Sequence, residues 1–191
     1  MTTAPKLHLA SSSPRRRDIL YGLGIDFVVT PAEVDESLVA GETPRKMVMR
    51  LAAAKAQAAG DGHFVLGADT VVVLGDRILG KPRDADDAVE MLLALSGRTH
   101  HVLTAVALKT PTGIKTVVST TEVQFREIGR DEAFLYWQSG EPADKAGAYG
   151  IQGLGGVFVE AINGSYSGVV GLPVFETVEL LKAAGIEVLT K

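Results

Sequence analysis

Three serines, a proline and three arginines stand in a row near the start of this 191-residue chain, in Ser11-Ser12-Ser13-Pro14-Arg15-Arg16-Arg17. Residues 7–10 read as a short strand, Ser13 as a helix N-cap and Pro14 as the first helical position. Ile19, Leu20 and Leu23 supply the apolar stripe and Gly24 the stop. Three cations then stand at a helix N-terminus, where the dipole is already positive. A bound anion resolves that conflict, because the free N–H groups of the first turn point at the same place. At about 100° per residue, Arg15 and Arg16 fall on the side of Ile19 and Leu23, and Arg17 points away. Arg15 and Arg16 are therefore assigned to an anionic ligand and Arg17 to solvent. A solvated basic turn is the competing reading.

Two lysines extend the search for positive charge. A helix reads from a Thr43 cap through Pro44 to residue 59, and Lys55 continues its stripe of Val48, Leu51 and Ala52 at i+7. An unpaired ammonium is costly to bury, so Lys55 either snorkels to an edge or faces a polar cleft. An apolar side chain suits the stripe, so Lys55→Met is expected to raise stability or leave it unchanged. Lys81, in Gly80-Lys81-Pro82, is an ordinary strand-end lysine when viewed alone.

The carboxylates stand out by context. Asp69 interrupts Phe64-Val65-Leu66-Gly67-Ala68-Asp69-Thr70-Val71-Val72-Val73-Leu74, a strand apolar enough to be buried on both faces. A lone buried carboxylate drifts toward the neutral form unless a cation or metal adjoins it. Gly67 permits close approach of another backbone or a ligand. The alternative is an aspartate capping a local turn. Glu33, Asp35 and Glu36 form an acidic cluster that could help hold a hard cation through oxygen, or be a solvated loop. His8, His63, His100 and His101 lack metal-ligand spacing and receive no role. The glycine-rich segment 145–156 matches neither a dinucleotide fingerprint nor a P-loop. Its backbone must approach something closely, and Gln152 is its one side-chain amide, able to donate and accept together.

The elements that must position these groups alternate between helix and strand. Strands are expected at 64–74 and 77–79, joined through Gly75-Asp76, and at 102–108 and 114–125, paired around Pro111-Thr112-Gly113. Asp84 caps a helix that stops at Gly97, with Val89, Leu92 and Leu93 inward. A short helix covers 132–138. Residues 157–162 and 166–170 are expected to be strands flanking an Asn163-Gly164 turn, and Pro173 to open a last helix ending near Gly185. Hairpins among alternating elements argue for an α/β fold with a mixed sheet and helices on both faces, in a single domain over 1–191. The chain has no cysteine, so disulfides and thiolate metal sites are excluded. A net charge of −4 argues against a generic nucleic-acid binder. No apolar run reaches the roughly 20 residues of a membrane span, and no signal-peptide core is apparent, so a cytosolic protein is expected.

In this order the segments resemble the Maf family of nucleoside triphosphate pyrophosphatases. Ala10-Ser11-x-Ser13-Pro14-Arg15-Arg16, Leu51-Ala52-x-x-Lys55-Ala56, Gly67-Ala68-Asp69-Thr70 and Lys81-Pro82 match its first four blocks. The stretch Asp144-Lys145-Ala146-Gly147-Ala148-Tyr149-Gly150-Ile151-Gln152-Gly153 and then Val170-Gly171-Leu172-Pro173 match the last two. The Tyr149-Gly150-Ile151-Gln152-Gly153 form resembles the dTTP/UTP branch. The resemblance implies two lobes around a central cleft, a divalent cation (Mg or Mn), a cytoplasmic location and a homodimer. It places a general base at Asp69 and specificity residues at Arg15, Thr70 and Gln152. Ser13, Arg16, Lys55 and Lys81 then face the phosphates, and Asp69 and Glu36 the metal. The competing functions are a non-catalytic nucleotide-binding regulator of cell division and a phosphatase acting on sugar phosphates.

Overall fold

Apolar, β-branched sequence with little charge builds the longest strands. The computed structural model describes residues 7–60 and 64–188; His63 and the first six residues lie outside that range. In chain order the elements are β1 (Leu7–Leu9), α1 (Pro14–Gly22), β2 (Phe27–Val29), α2 (Pro44–Ala58), β3 (Phe64–Leu74), β4 (Arg77–Leu79) and α3 (Ala85–Leu95). They continue with β5 (Thr99–Thr110), β6 (Gly113–Phe125), α4 (Arg130–Gln138), β7 (Val159–Asn163), α5 (Tyr166–Val170) and α6 (Val174–Ala183). The strands form one sheet in the order β2-β1-β3-β5-β6-β7, with β4 paired to β3. β1 runs parallel to β2 and β3, while β3/β4 and β6/β7 are antiparallel. The fold is therefore α/β with a mixed sheet.

By contacts the chain divides into two compact units, one of residues 1–69, 104–119 and 171–191, the other of 70–103 and 120–170. β3, β5 and β6 each contribute residues to both. The core of the first unit is Leu7, Leu9, Leu20, Leu66, Val106, Leu108, Leu172 and Leu181. The second has its own core, in which Val89, Leu92 and Leu95 of α3 meet Phe125, Tyr136, Tyr149 and Phe158.

Local chemistry sets the helix boundaries. Thr43 caps α2 by accepting from the Lys46 N–H at 3.3 Å, and Asp84 caps α3 by accepting from the Asp87 N–H at 2.8 Å. Gly97, at φ 65°, ends the turn after α3.

Two expectations fail and one strand was not anticipated. β2 is a parallel partner of β1 that three partly buried residues, Phe27-Val28-Val29, do not announce by alternation. The apolar residues after Asn163-Gly164 form helix α5, not a strand. Ser165 accepts from the Gly168 N–H at 3.0 Å and its carbonyl takes the Val169 N–H at 3.1 Å, which starts a helical turn where a hairpin would need extended backbone. β7 pairs instead with β6. Arg17 is half-buried, not solvated. The buried side chain of α1 is Leu20, and on a 3.6-residue turn Arg16 and Arg17 bracket it within about 60° on either side.

Candidate active site

Gly67 decides where Lys55 and Asp69 of the first unit meet. A Cβ at this position would lie 2.6 Å from the Ala56 nitrogen and collide with the Ala52 carbonyl, so β3 and α2 approach backbone to backbone. Lys55, between those two helix residues, is thereby brought to Asp69, two residues along the strand. Its Nζ donates to Asp69 Oδ1 at 2.7 Å and lies 2.6 Å from Glu36 Oε1. The sequence alternatives for Lys55, an edge or a polar cleft, named no partner; the ammonium bridges two carboxylates with 12% of its side chain exposed.

Asp69 is 7% exposed. Burial raises its pKa above the ordinary carboxylate range, and the charge and hydrogen bond of Lys55, with the more distant charge of Arg16, oppose that rise without cancelling it. Glu36 adds slightly to it. The result is a carboxylate held in the strand with a weakened hold on its charge, which suits a proton acceptor. Glu36 sits in an exposed loop with 54% of its side chain accessible. Of the rest of the acidic cluster, Asp35 accepts from the Ser37 N–H at 2.9 Å and Glu33 is exposed. These two do not join Lys55.

α1 adds the guanidinium of Arg16. Its Nε donates to the Gly171 carbonyl at 2.8 Å and its Nη1 to Ser11 Oγ at 3.2 Å. Burial lowers the Arg16 pKa and Arg15 adds to that, while Asp69 and Glu36 oppose both. Ser13 occupies the predicted cap position, but its side chain does not cap the helix; its N–H donates to Ser11 Oγ at 3.2 Å. Ser11 is thus the hydroxyl that organises the turn, and Gly171 the carbonyl that aims Arg16. Sequence reading missed both, although each stands in a quoted block.

The two carboxylates converge on one point, as the short contacts of a single Nζ to both show. They would suit a hard cation. Among the described residues no three His, Asp or Glu side chains gather for a metal, so water and phosphate oxygens would complete its shell, the usual habit of magnesium.

Thr70, Lys81 and Gln152 belong to the second unit. Thr70 follows Asp69 in β3 and is half-buried; Lys81 is exposed just after β4. The Gly147 N–H donates to the Gly80 carbonyl at 3.0 Å, and a Cβ on Gly147 would press on Val72 at 3.0 Å, so the glycine-rich segment is laid against β3 and β4. Beyond it, Tyr149 is buried and its hydroxyl meets His100 Nε2 at 2.9 Å. Gln152 lies on the exposed stretch that follows.

The chain is 54% identical over 189 residues to a protein of Hahella chejuensis named dTTP/UTP pyrophosphatase, covering 96% of this chain and 94% of that one. Proteins of the same name from Saccharophagus degradans and Anaeromyxobacter dehalogenans are 52% and 54% identical, covering 95% of this chain in both cases and 90% and 95% of theirs. Among solved structures, the Staphylococcus aureus Ham1 protein aligns with a TM-score of 0.46 at 17% identity, over 66% of this chain and 79% of that one. The Maf-like protein family matches residues 6–184. The chain belongs to the Maf family.

Proposed function

We propose that the protein hydrolyses dTTP and UTP to the nucleoside monophosphate and pyrophosphate, with Asp69 as the general base. The observation that carries this reading is the buried Asp69 carboxylate, paired to Lys55 beside Arg16, in a chain more than half identical to proteins of that name. Water attacks phosphorus at the α–β anhydride; its proton passes to Asp69, and the bridging bond breaks to release pyrophosphate. Such a transfer depends more on positioning and charge stabilisation than on covalent help. Arg15, Arg16 and Lys55, with Ser13 and Lys81, neutralise the triphosphate in an otherwise acidic protein. Lys55 must loosen one of its two carboxylate contacts to do so.

A divalent cation, Mg or Mn, would be held by Asp69 and Glu36 and would draw charge from the phosphate oxygens. Arg15, Thr70 and Gln152 select the base. The N3–H and O4 of uracil and thymine present a donor beside an acceptor, and one amide answers both. A cytoplasmic homodimer completes the reading, on the strength of the family resemblance. The test is a panel of UTP, dTTP, CTP and sugar phosphates with product identification. Pyrophosphate from UTP and dTTP is the expected result. Orthophosphate as the first product, or binding without turnover, sinks the proposal, and light scattering on the purified protein checks the dimer.

A further inference from the structure

The glycine-rich segment is wrapped around a carboxylate that no motif pointed to. Glu141 lies in a 3-10 turn just after α4. Its Oε1 accepts from the Tyr136 hydroxyl at 2.7 Å and from the Gly155 N–H at 3.0 Å, and its Oε2 from the Leu154 N–H at 2.8 Å. The Tyr136 oxygen in turn accepts from the Gly150 N–H at 3.0 Å. Two more glycines are fitted to this pair. A Cβ on Gly155 would stand 2.5 Å from the Tyr136 oxygen, and one on Gly153 would collide with the Glu141 carboxylate. Upstream, Lys145 Nζ donates to the Glu141 carbonyl at 2.7 Å, and its stem fills the space beside Gly150. Ala148 is held at a positive φ of 57° that alanine adopts only when its surroundings dictate it. Residues 150 and 154–155 are therefore pinned on one carboxylate–phenol pair, and Gln152 is the side chain carried between the pins.

We propose that Glu141 and Tyr136 are positioning residues for base selection: they fix the backbone on both sides of Gln152 and so fix where its side chain is presented. The point matters because an amide tells the edge of uracil from that of cytosine only when it is held in register with the base, and a loosened segment loses that register. The inference rests on the proposed role of Gln152. Three donors fill the two oxygens of Glu141. In Glu141→Gln one oxygen becomes an NH₂ that faces an N–H or O–H donor, so a pin is lost while the shape is kept.

The experiment measures kcat/KM for UTP and CTP in the wild type, Glu141→Gln, Tyr136→Phe, Gln152→Ala and the Glu141→Gln/Gln152→Ala double variant. It is run beside amide hydrogen exchange at Gly150, Leu154 and Gly155. Gln152→Ala should reduce the UTP:CTP preference about ten- to a hundredfold. Glu141→Gln should reduce it about tenfold with faster exchange at Leu154 and Gly155, and Tyr136→Phe should do the same with faster exchange at Gly150. The double variant should show the preference of Gln152→Ala alone, since the pins act only through that side chain. If Glu141→Gln and Tyr136→Phe keep the wild-type preference, or lose equally on both triphosphates, while Gln152→Ala flattens it, the positioning role is wrong and the Gln152 reading survives. An unchanged preference in Gln152→Ala overturns both. Should Glu141→Gln fail to fold, Tyr136→Phe decides between the same outcomes.

Discussion

Asp69 is a buried carboxylate and Glu141 a half-buried one, and the protein treats them in opposite ways. Asp69 sits in a strand and takes a hydrogen bond from Lys55; burial outweighs the nearby cations and its pKa rises. At Glu141 burial pushes in the same direction, but donors from Tyr136, Gly155 and Leu154, with the charge of Lys145, more than reverse it, and its pKa falls. Burial and donors together separate the roles: a deeply buried carboxylate with few donors keeps an appetite for a proton, and a half-buried one given three becomes a fixed structural anion. Sign follows from this. The stability contributed by ionised Glu141 is present above its ordinary pKa and is lost as pH falls through the depressed value. Asp69 contributes in the other direction, since the fold disfavours its charge.

The sharpest way to break the contrast is to neutralise each carboxylate without changing its shape. Asp69→Asn should lower kcat about 10²- to 10⁴-fold, the usual worth of a general base, while UTP binding by calorimetry and the melting temperature stay close to wild type. The amide cannot take the proton, and it removes a charge the fold disfavours. Glu141→Gln should do the reverse, costing about 1–3 kcal/mol in denaturant unfolding, with the larger share of any loss in kcat/KM falling on KM. A fall in kcat for Glu141→Gln as deep as that for Asp69→Asn would mean that the two carboxylates do not divide the work. Asp69→Asn retaining more than a few per cent of activity would remove Asp69 as the base, once metal concentration has been varied to exclude weakened cation binding.

Removing the partner instead of the carboxylate sharpens the same point. Lys55→Met, harmless by the helix stripe alone, should now cost about 3 kcal/mol of stability, because it leaves a buried carboxylate unpaired. Activity should fall with it. Glu36, half exposed, contributes little to that loss. Tyr136→Phe leaves only the Gly150 N–H and one Glu141 oxygen short of a bond, worth about 1–2 kcal/mol. Urea unfolding of both variants at one pH gives the comparison. A Lys55→Met protein as stable as wild type would return Lys55 to the role the sequence suggests, a lysine the fold does not need.

These two regions were unequally legible. The Asp69 site declared itself, because an aspartate inside an eleven-residue apolar strand contradicts its surroundings and the preceding Gly67 marks a close backbone approach. The bounds of β3 and the caps of α2 and α3 were readable from local chemistry for the same reason. Glu141 gave no such signal: in Gly140-Glu141-Pro142 it looks like a solvated turn residue, and its donors are a helix tyrosine and backbone groups 13 and 14 residues away. Glycines showed that something would be approached, not what. The Lys55 bridge was hidden because it joins three elements, and helical spacing cannot report a partner on a loop. α5 was lost to a serine acting as a local cap where apolar residues invited a strand.

The second unit carries a pH response centred on a buried histidine. His100 is 0% exposed, edge-on to Phe125 and Tyr149, and burial lowers its pKa from 6.5 to about 4, helped slightly by His101. Its Nε2 meets the Tyr149 hydroxyl, and Nδ1 has no hydrogen-bond partner among the described residues, so a second proton gains no acceptor. Unfolded, the imidazole titrates near 6.5. Stability is then unaffected above that pH and is lost as pH falls from about 6.5 to about 4, by as much as ~3 kcal/mol. Melting curves of His100→Gln against wild type between pH 7 and 5 should show the wild type losing more, and parallel curves would rule the histidine out.

The smallest effect is expected at Arg17, and it tests whether the first unit depends on charge or on bonds. The wheel separated Arg16 from Arg17 by the face of α1, yet both flank the buried Leu20 and both are half-buried. What remains to distinguish them is the fork of Arg16, which holds the Gly171 carbonyl and the Ser11 hydroxyl together. Arg16→Ala should therefore cut kcat/KM for UTP about a hundredfold, through lost charge at the phosphates and a released turn. Arg17→Ala should cost no more than about threefold, as expected of a half-buried cation outside the Gly171–Ser11 fork. Arg16→Lys keeps the charge and loses the planar fork, so it should behave more like Arg16→Ala than like wild type. If Arg16→Lys is nearly wild type, the turn needs only a positive charge and Gly171 is an incidental partner. Equal losses in Arg16→Ala and Arg17→Ala would mean that neither the helix face nor the hydrogen bonds set the role, and that the basic turn acts as one diffuse field.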